Sequence, residues 1–150
     1  MKKISFLAVF ILIFSLCTFS SFAVSPDISK ETEIIYTKEY GNVQIETILV
    51  VESSSLRSST VPAYKIKTYS VDSEQIATVT LSATFGYDGK TAWVERTDSS
   101  YSVTGGWSYK NESITTSGGT ANLTAKLTKL LTSSIPVEIS MTCTPSGTIS

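Results

Sequence analysis

Residues Gln75 to Asp98 read QIATVTLSATFGYDGKTAWVERTD, and the alternation inside this stretch decides the fold. From Ala77 to Tyr87 the odd positions are Ala77, Val79, Leu81, Ala83, Phe85 and Tyr87, with Thr78, Thr80, Ser82, Thr84 and Gly86 between them. A period of two puts the first set on one face of a strand and the second on the other. Asp88-Gly89 then offers the pair of residues that a type I′ turn takes at positive φ, so the stretch reads as one β-hairpin. With Asp88 and Gly89 as the whole loop, Tyr87 would face Lys90, Phe85 would face Ala92, Ala83 would face Val94 and Leu81 would face Arg96. The apolar face would then continue across the turn.

Upstream, Ala63 to Val71 alternates as well, with Tyr64 and Ile66 set against Lys65 and Lys67, and Asp72-Ser73-Glu74 turns the chain into the central strand. Ser53 to Pro62 is polar and closed by proline, which reads as a loop. Glu33 to Tyr40 and Val43 to Glu52 are β-prone runs about Gly41-Asn42, a two-residue II′ turn by composition. This first hairpin carries apolar residues on both faces. Downstream, Ser99-Ser100 reads as a turn and Tyr101 to Thr104 as a further strand. Trp107 to Lys110 and Ile114 to Thr116 are short strands between the breaks at Gly105-Gly106 and Gly118-Gly119. Thr120 to Leu131 fits either period, and its threonines at 120, 124 and 128 favour a strand. Val137, Ile139, Met141 and Cys143 form one face of a last strand, after a turn at Thr132 to Pro136. Eight or nine short strands at this spacing predict an all-β chain, an antiparallel two-layer β-sandwich, immunoglobulin-like in general architecture. About a third of the residues after position 23 are Ser or Thr, which keeps outward strand faces soluble with few charges.

The start of the chain carries a different signal. Met1-Lys2-Lys3 is charged, Ile4 to Leu16 is almost wholly apolar, and Ser21-Phe22-Ala23 places small residues where a signal peptidase reads. The expectation is a secretory signal peptide over residues 1–23, cleaved near Ala23. An uncleaved anchor is the alternative, and Leu16 before Cys17 argues against a lipoprotein signal. Residues 24–32 then read as a flexible leader and 33–150 as a single domain. Loss of Lys2 and Lys3 leaves ten basic residues against thirteen acidic, net −3. No run of Lys or Arg marks a nucleic-acid or anionic-membrane surface. One cysteine would remain, so no internal disulfide could form. No second apolar span follows, so the expected product is secreted, extracellular and without a stable membrane anchor.

Phe85-Gly86-Tyr87-Asp88-Gly89 with Lys90 to Trp93, Gly106-Trp107-Ser108, Ser117-Gly118-Gly119-Thr120-Ala121 and the ending Met141 to Ser150 together carry a resemblance. Residues 76 to 150 resemble uncharacterised short secreted Ser/Thr-rich β proteins of Gram-positive bacteria. The resemblance implies export and a β fold, and brings no active site.

Histidine is absent from the chain. That removes Ser-His-Asp and Cys-His catalysis and histidine-bearing zinc sites. Cys143, on the face of Val137, Ile139 and Met141, is expected to be a buried thiol rather than a reactive one. Asp72 with Glu74 and Glu95 with Asp98 are acid pairs at a turn and on a polar hairpin face, where solvated carboxylates are common, and they make a weak glycosidase signal. No calcium loop and no phosphate-binding glycine motif is present. Asn111 and Asn122 head glycosylation sequons that matter only in a eukaryotic secretory pathway. No catalytic, metal or cofactor-binding residue is therefore assigned.

The candidates for recognition are aromatic: Trp93, Trp107, Tyr109 and Tyr101. Trp93 falls on the polar face of its strand, and Trp107 and Tyr109 share a face of another. Such rings can stack on sugars or anchor a protein partner. The packing reading, the one expected of isolated rings, puts Trp93 against the second layer or under a loop, with Trp107 and Tyr109 filling the core. The function expected is non-enzymatic surface recognition of an unknown protein or glycan at the cell surface. A carbohydrate-binding module is one alternative and a secreted toxin or inhibitor another.

Overall fold

The computed structural model describes residues 26–37, 40–52, 59–130 and 134–150. The signal-peptide reading of 1–23 lies outside the described residues. The elements are β1 (Asp27–Thr37), β2 (Gly41–Val51), β3 (Thr60–Val71), β4 (Glu74–Tyr87), β5 (Ala92–Val103), β6 (Ser108–Ser117), β7 (Thr120–Thr128) and β8 (Ser134–Thr142). Among the described residues there is no helix. The described part of the chain is all-β, as the alternation predicts.

Two antiparallel sheets form, one of five strands in the order β1-β2-β3-β4-β5 and one of three in the order β6-β7-β8. Each is a meander of hairpins, so the likeness to an immunoglobulin domain is one of layers and not of connectivity. The smaller sheet packs across β3, β4 and β5. The core between the layers takes the odd residues of β4, Ala77 to Phe85, with Val61, Ala63 and Tyr69 from β3. Opposite them lie Ala121, Leu123, Ala125 and Leu127 of β7 and Ile135, Val137, Ile139 and Met141 of β8. The segment 120–128 that fits both periods is a strand, because both its neighbours in the sheet require one.

The central hairpin exists, with a different turn and register. Tyr87 pairs with Ala92, Gly86 with Trp93 and Phe85 with Val94, so the loop is four residues, 88–91. Asp88 Oδ1 accepts from the backbone N–H groups of Lys90 at 2.9 Å and Thr91 at 2.7 Å. This Asx arrangement closes the loop through a side chain, and only Gly89 of the pair has positive φ. A bulge then shifts the register between Thr84 and Phe85, so that Ala83 meets Thr97 and Leu81 meets Ser99. The I′-type pair lies one hairpin earlier, where Asp72 and Ser73 both have positive φ (50° and 67°).

Other boundaries also move. Residues 27–32, expected as leader, pair with 46–51 as the first half of β1. Gly41 and Asn42 open β2 opposite Thr37 and Tyr36 and are not the turn. The loop expected over 53–62 ends by Thr60, where β3 begins, and 53–58 lie outside the described residues. Tyr101 belongs to one long β5, and the two short strands about Asn111-Glu112 are one β6 with a bulge between Lys110 and Ser113. On β3 the inward face is Val61, Ala63, Lys65, Lys67 and Tyr69, so it is the lysines and not Tyr64 and Ile66 that look toward the second layer.

Candidate functional site

Trp93 stands on the outer face of the five-stranded sheet, opposite Gly86, and is 40 % exposed. A β-carbon built on Gly86 would lie 2.3 to 2.5 Å from the indole. Only hydrogen fits there, so the ring covers the bare backbone of its cross-strand neighbour and leaves its remaining surface to solvent. The expectation that Trp93 faces the second layer or lies beneath a loop is therefore corrected.

On the same face the next rows are Arg96–Thr84–Pro62 and Asp98–Ser82–Tyr64. Between them runs a shallow groove of about 270 Å³ whose walls include Glu52, Tyr64, Ser82, Thr84, Arg96 and Asp98. Arg96 has no ion-pair partner among the described residues. Gly86 and Ser82 are four residues apart on β4, which separates the Trp93 row from the Tyr64 row by roughly 13 Å. The arrangement is an aromatic surface at one end, a tyrosine at the other, and charged and hydroxyl groups between.

Comparison with protein-family models, curated proteins and solved structures finds no match. The chemistry of the side chains alone must carry the functional reading.

The other three aromatics are not on this face. Trp107 is 7 % exposed, with its ring centroid 4.7 Å from that of Tyr40 and the Lys129 ammonium 5.9 Å from its ring. It plugs the end of the core next to β6. Tyr101 pairs with Val79 and so belongs to the inner face of β5, at the seam where the two sheets meet. Its ring stacks on Tyr109 at 4.2 Å and remains 55 % exposed. Tyr109 donates to Glu112 Oε2 at 2.7 Å, and Ser99 donates to Glu112 Oε1 at 2.9 Å. Burial, then the Glu112 carboxylate, pushes the Tyr109 phenol well above its ordinary range. This cluster ties β5 to β6.

The remaining candidates read as structure. Cys143 is buried, burial pushes its thiol up, and Sγ lies 3.3 Å from the Thr144 carbonyl. The acid pairs stay on turns and outward faces: Glu95 falls at the β5 bulge, and Asp98 is part of the outer groove.

Two groups of residues escaped the sequence reading. Arg96 and Asp98 join the Trp93 face only because the bulge at Glu95 switches the parity of β5. Lys65, Lys67 and Tyr69 line one inward face of β3, and the signal was present in the continuation of their parity through Val61 and Ala63.

Proposed function

We propose that the chain is an exported, non-catalytic recognition domain that engages material at a cell surface through the outer face of its five-stranded sheet. The observation that carries this reading is Trp93, held over Gly86 with its free surface turned outward beside a groove lined by charged and hydroxyl groups. Stacking on an indole with hydrogen bonds from flanking polar groups suits a sugar ring, so a glycan is the ligand class best matched. The absence of histidine and the inert setting of Cys143 support a binding role over catalysis.

A protein partner is the second reading. Ile28, Ile34 and Tyr36 stand exposed on the outer side of β1, on the same sheet face. Ile34 and Tyr36 are neighbours on that face, with Ile28 beyond Lys30 and Thr32, and exposed apolar groups side by side are a common mark of protein contact.

Glycan-array binding and pull-down on isolated cell walls, with the wild-type protein and Trp93→Ala, separate the readings. Retention by wall polysaccharide that falls at least tenfold in Trp93→Ala, with unchanged circular dichroism, is the expected result. No retention by any glycan, with capture by surface protein that Tyr36→Ser abolishes, would move the assignment to the protein reading.

A further inference from the structure

Among the described residues the three-stranded sheet ends at β8, with no strand paired to its outer edge. Thr142 and Ser150 exchange N–H to carbonyl hydrogen bonds, both at 3.0 Å, so residue 142 turns its backbone away from β7. By the period of a strand Ser140, Glu138 and Pro136 turn the same way. Pro136 has no N–H to offer, and Ser150 covers the other end. The window between them holds Glu138 and Ser140. Its Ser140 carbonyl accepts from Lys65 Nζ at 2.6 Å. Its Ser140 N–H and Glu138 carbonyl have no partner among the described residues.

A trough of about 580 Å³ runs beside this window. Glu31 and Glu33 of β1 form the far wall, Thr47, Lys65 and Lys67 lie on the five-stranded side, and Glu138 and Ser140 line the β8 side. The trough exists because the five-stranded sheet extends past the three-stranded one, leaving the inward residues of β1 uncovered.

The lysines are unusual occupants of an inward face. They sit two residues apart on one side of β3, roughly 7 Å by strand geometry. Lys67 has no hydrogen bond or ion pair among the described residues, where the single ion pair joins Lys30 to Glu46 at 2.7 Å. Next along the same face, the Tyr69 hydroxyl is buried without a hydrogen bond of good geometry, facing the Glu138 N–H. Neither ammonium is within ion-pair distance of the Glu31, Glu33 and Glu138 carboxylates that share the trough, although Glu31 favours the charged form of Lys65 from further off. Both lie with an orphaned phenol alongside an unpaired strand edge.

We propose that the trough receives an extended polypeptide segment, which adds to β8 as a fourth strand and places a carboxylate side chain between Lys65 and Lys67. Backbone pairing at Ser140 N–H and the Glu138 carbonyl supplies the register, and an N–H of the entering strand replaces Lys65 on the Ser140 carbonyl. The released Lys65 ammonium then joins Lys67 on the carboxylate. One strand fits and a sheet does not, because β1 closes the far side. A second copy of this chain is a poor occupant for the same reason, and because it would set its own Lys65 and Lys67 against this pair. Inward lysines and an edge proline are the devices that keep identical edges apart.

The test is panning of a phage-displayed random heptapeptide library on wild type, Ser140→Pro, Lys67→Gln and Trp93→Ala. Ser140→Pro removes an N–H that the fold leaves unpaired, so its circular dichroism should match wild type. Wild type should enrich alternating β-branched sequences containing one Asp or Glu, at least tenfold over Ser140→Pro. Lys67→Gln should keep the strand pattern and lose the acid preference. Trp93→Ala should behave as wild type, which separates this site from the glycan reading. In the wild-type complex, hydrogen exchange at the Ser140 amide should slow at least tenfold, a readout that does not need the proline variant to fold. Enrichment equal on Ser140→Pro, no enrichment on wild type, or an unprotected Ser140 amide would each overturn strand addition. An acid preference that survives Lys67→Gln would overturn the role of the lysine pair.

Discussion

Tyr69 shows what a single residue can cost a well-packed layer. Its ring fills the core fully, yet its hydroxyl reaches no hydrogen bond of good geometry. An unsatisfied buried hydroxyl costs about 1 kcal/mol or more, so Tyr69→Phe should raise the unfolding free energy at pH 7 by about 1 kcal/mol, measured in urea. The pH dependence has a definite sign. Burial pushes the folded-state phenol above its ordinary value near 10, so above pH 10 the unfolded chain loses this proton while the folded chain keeps it. Stability must then fall as pH rises through that range, and Tyr69→Phe should remove this contribution. Lys65 acts oppositely, since burial and then the neighbouring Lys67 lower its pKa and the folded chain releases its proton first. Comparing wild type with Tyr69→Phe between pH 9 and 11 isolates the tyrosine. A variant no more stable at pH 7, and falling as steeply in alkali, would contradict this account.

Within the β4–β5 hairpin the strands were legible in the sequence and the turn was not. Alternation from Ala77 to Phe85 is a property of a few adjacent residues, and one buried face enforces it. The turn depended on whether Asp88 would take positive φ or use its carboxylate to accept two backbone N–H groups, and dipeptide identity does not distinguish these. Those same hydrogen bonds hold the Asp88 carboxyl below its ordinary range, Thr91 contributing most. The turn also has neighbours that no local pattern shows. Gly89 N–H donates to the Pro145 carbonyl at 3.0 Å, Val94 N–H to Gly118 at 3.1 Å and Cys143 N–H to Gly119 at 2.8 Å. These bonds join the β4–β5 end to the β6–β7 turn and the C-terminal segment. Gly119 is pressed into this junction, where a β-carbon would lie 2.5 Å from the Cys143 carbonyl and 3.0 Å from Ala92. Gly89 instead needs only its positive φ, with open space around it. Gly119→Ala should therefore cost roughly 1–3 kcal/mol through overpacking. Gly89→Asn should cost well under that, since asparagine tolerates the left-handed region. Thermal melts of the two variants check the ordering, and equal losses would mean the junction is looser than its distances imply.

At the scale of the molecule, the unequal sheets govern what is rigid and what is open. Hairpin signals are local, so they could announce eight strands without saying where five would stop and three begin. That division places β1 past the smaller layer, while Val43 and Ile45 of β2 still reach the core, and on β1 Glu31 and Glu33 replace the apolar side chains that an enclosed position would demand. The rows make the gradient explicit: Glu33–Ile45–Tyr69–Ala77–Val103 runs from an exposed acid at the free edge to a packed centre. Few apolar contacts hold β1, whose side chains are almost all exposed, and local opening follows contact density. Amide exchange should therefore divide the chain into two classes. The β1 amides that pair with β2 should exchange through local opening, with protection at least a hundredfold below that of β4 and β7, which should exchange near the global limit. Peptide-resolved exchange at pH 7 measures both. Uniform protection from β1 to β7 would show that the overhang is as firmly held as the core. The trough beside β8 would then be a fixed cleft rather than one whose outer wall can yield to an entering strand.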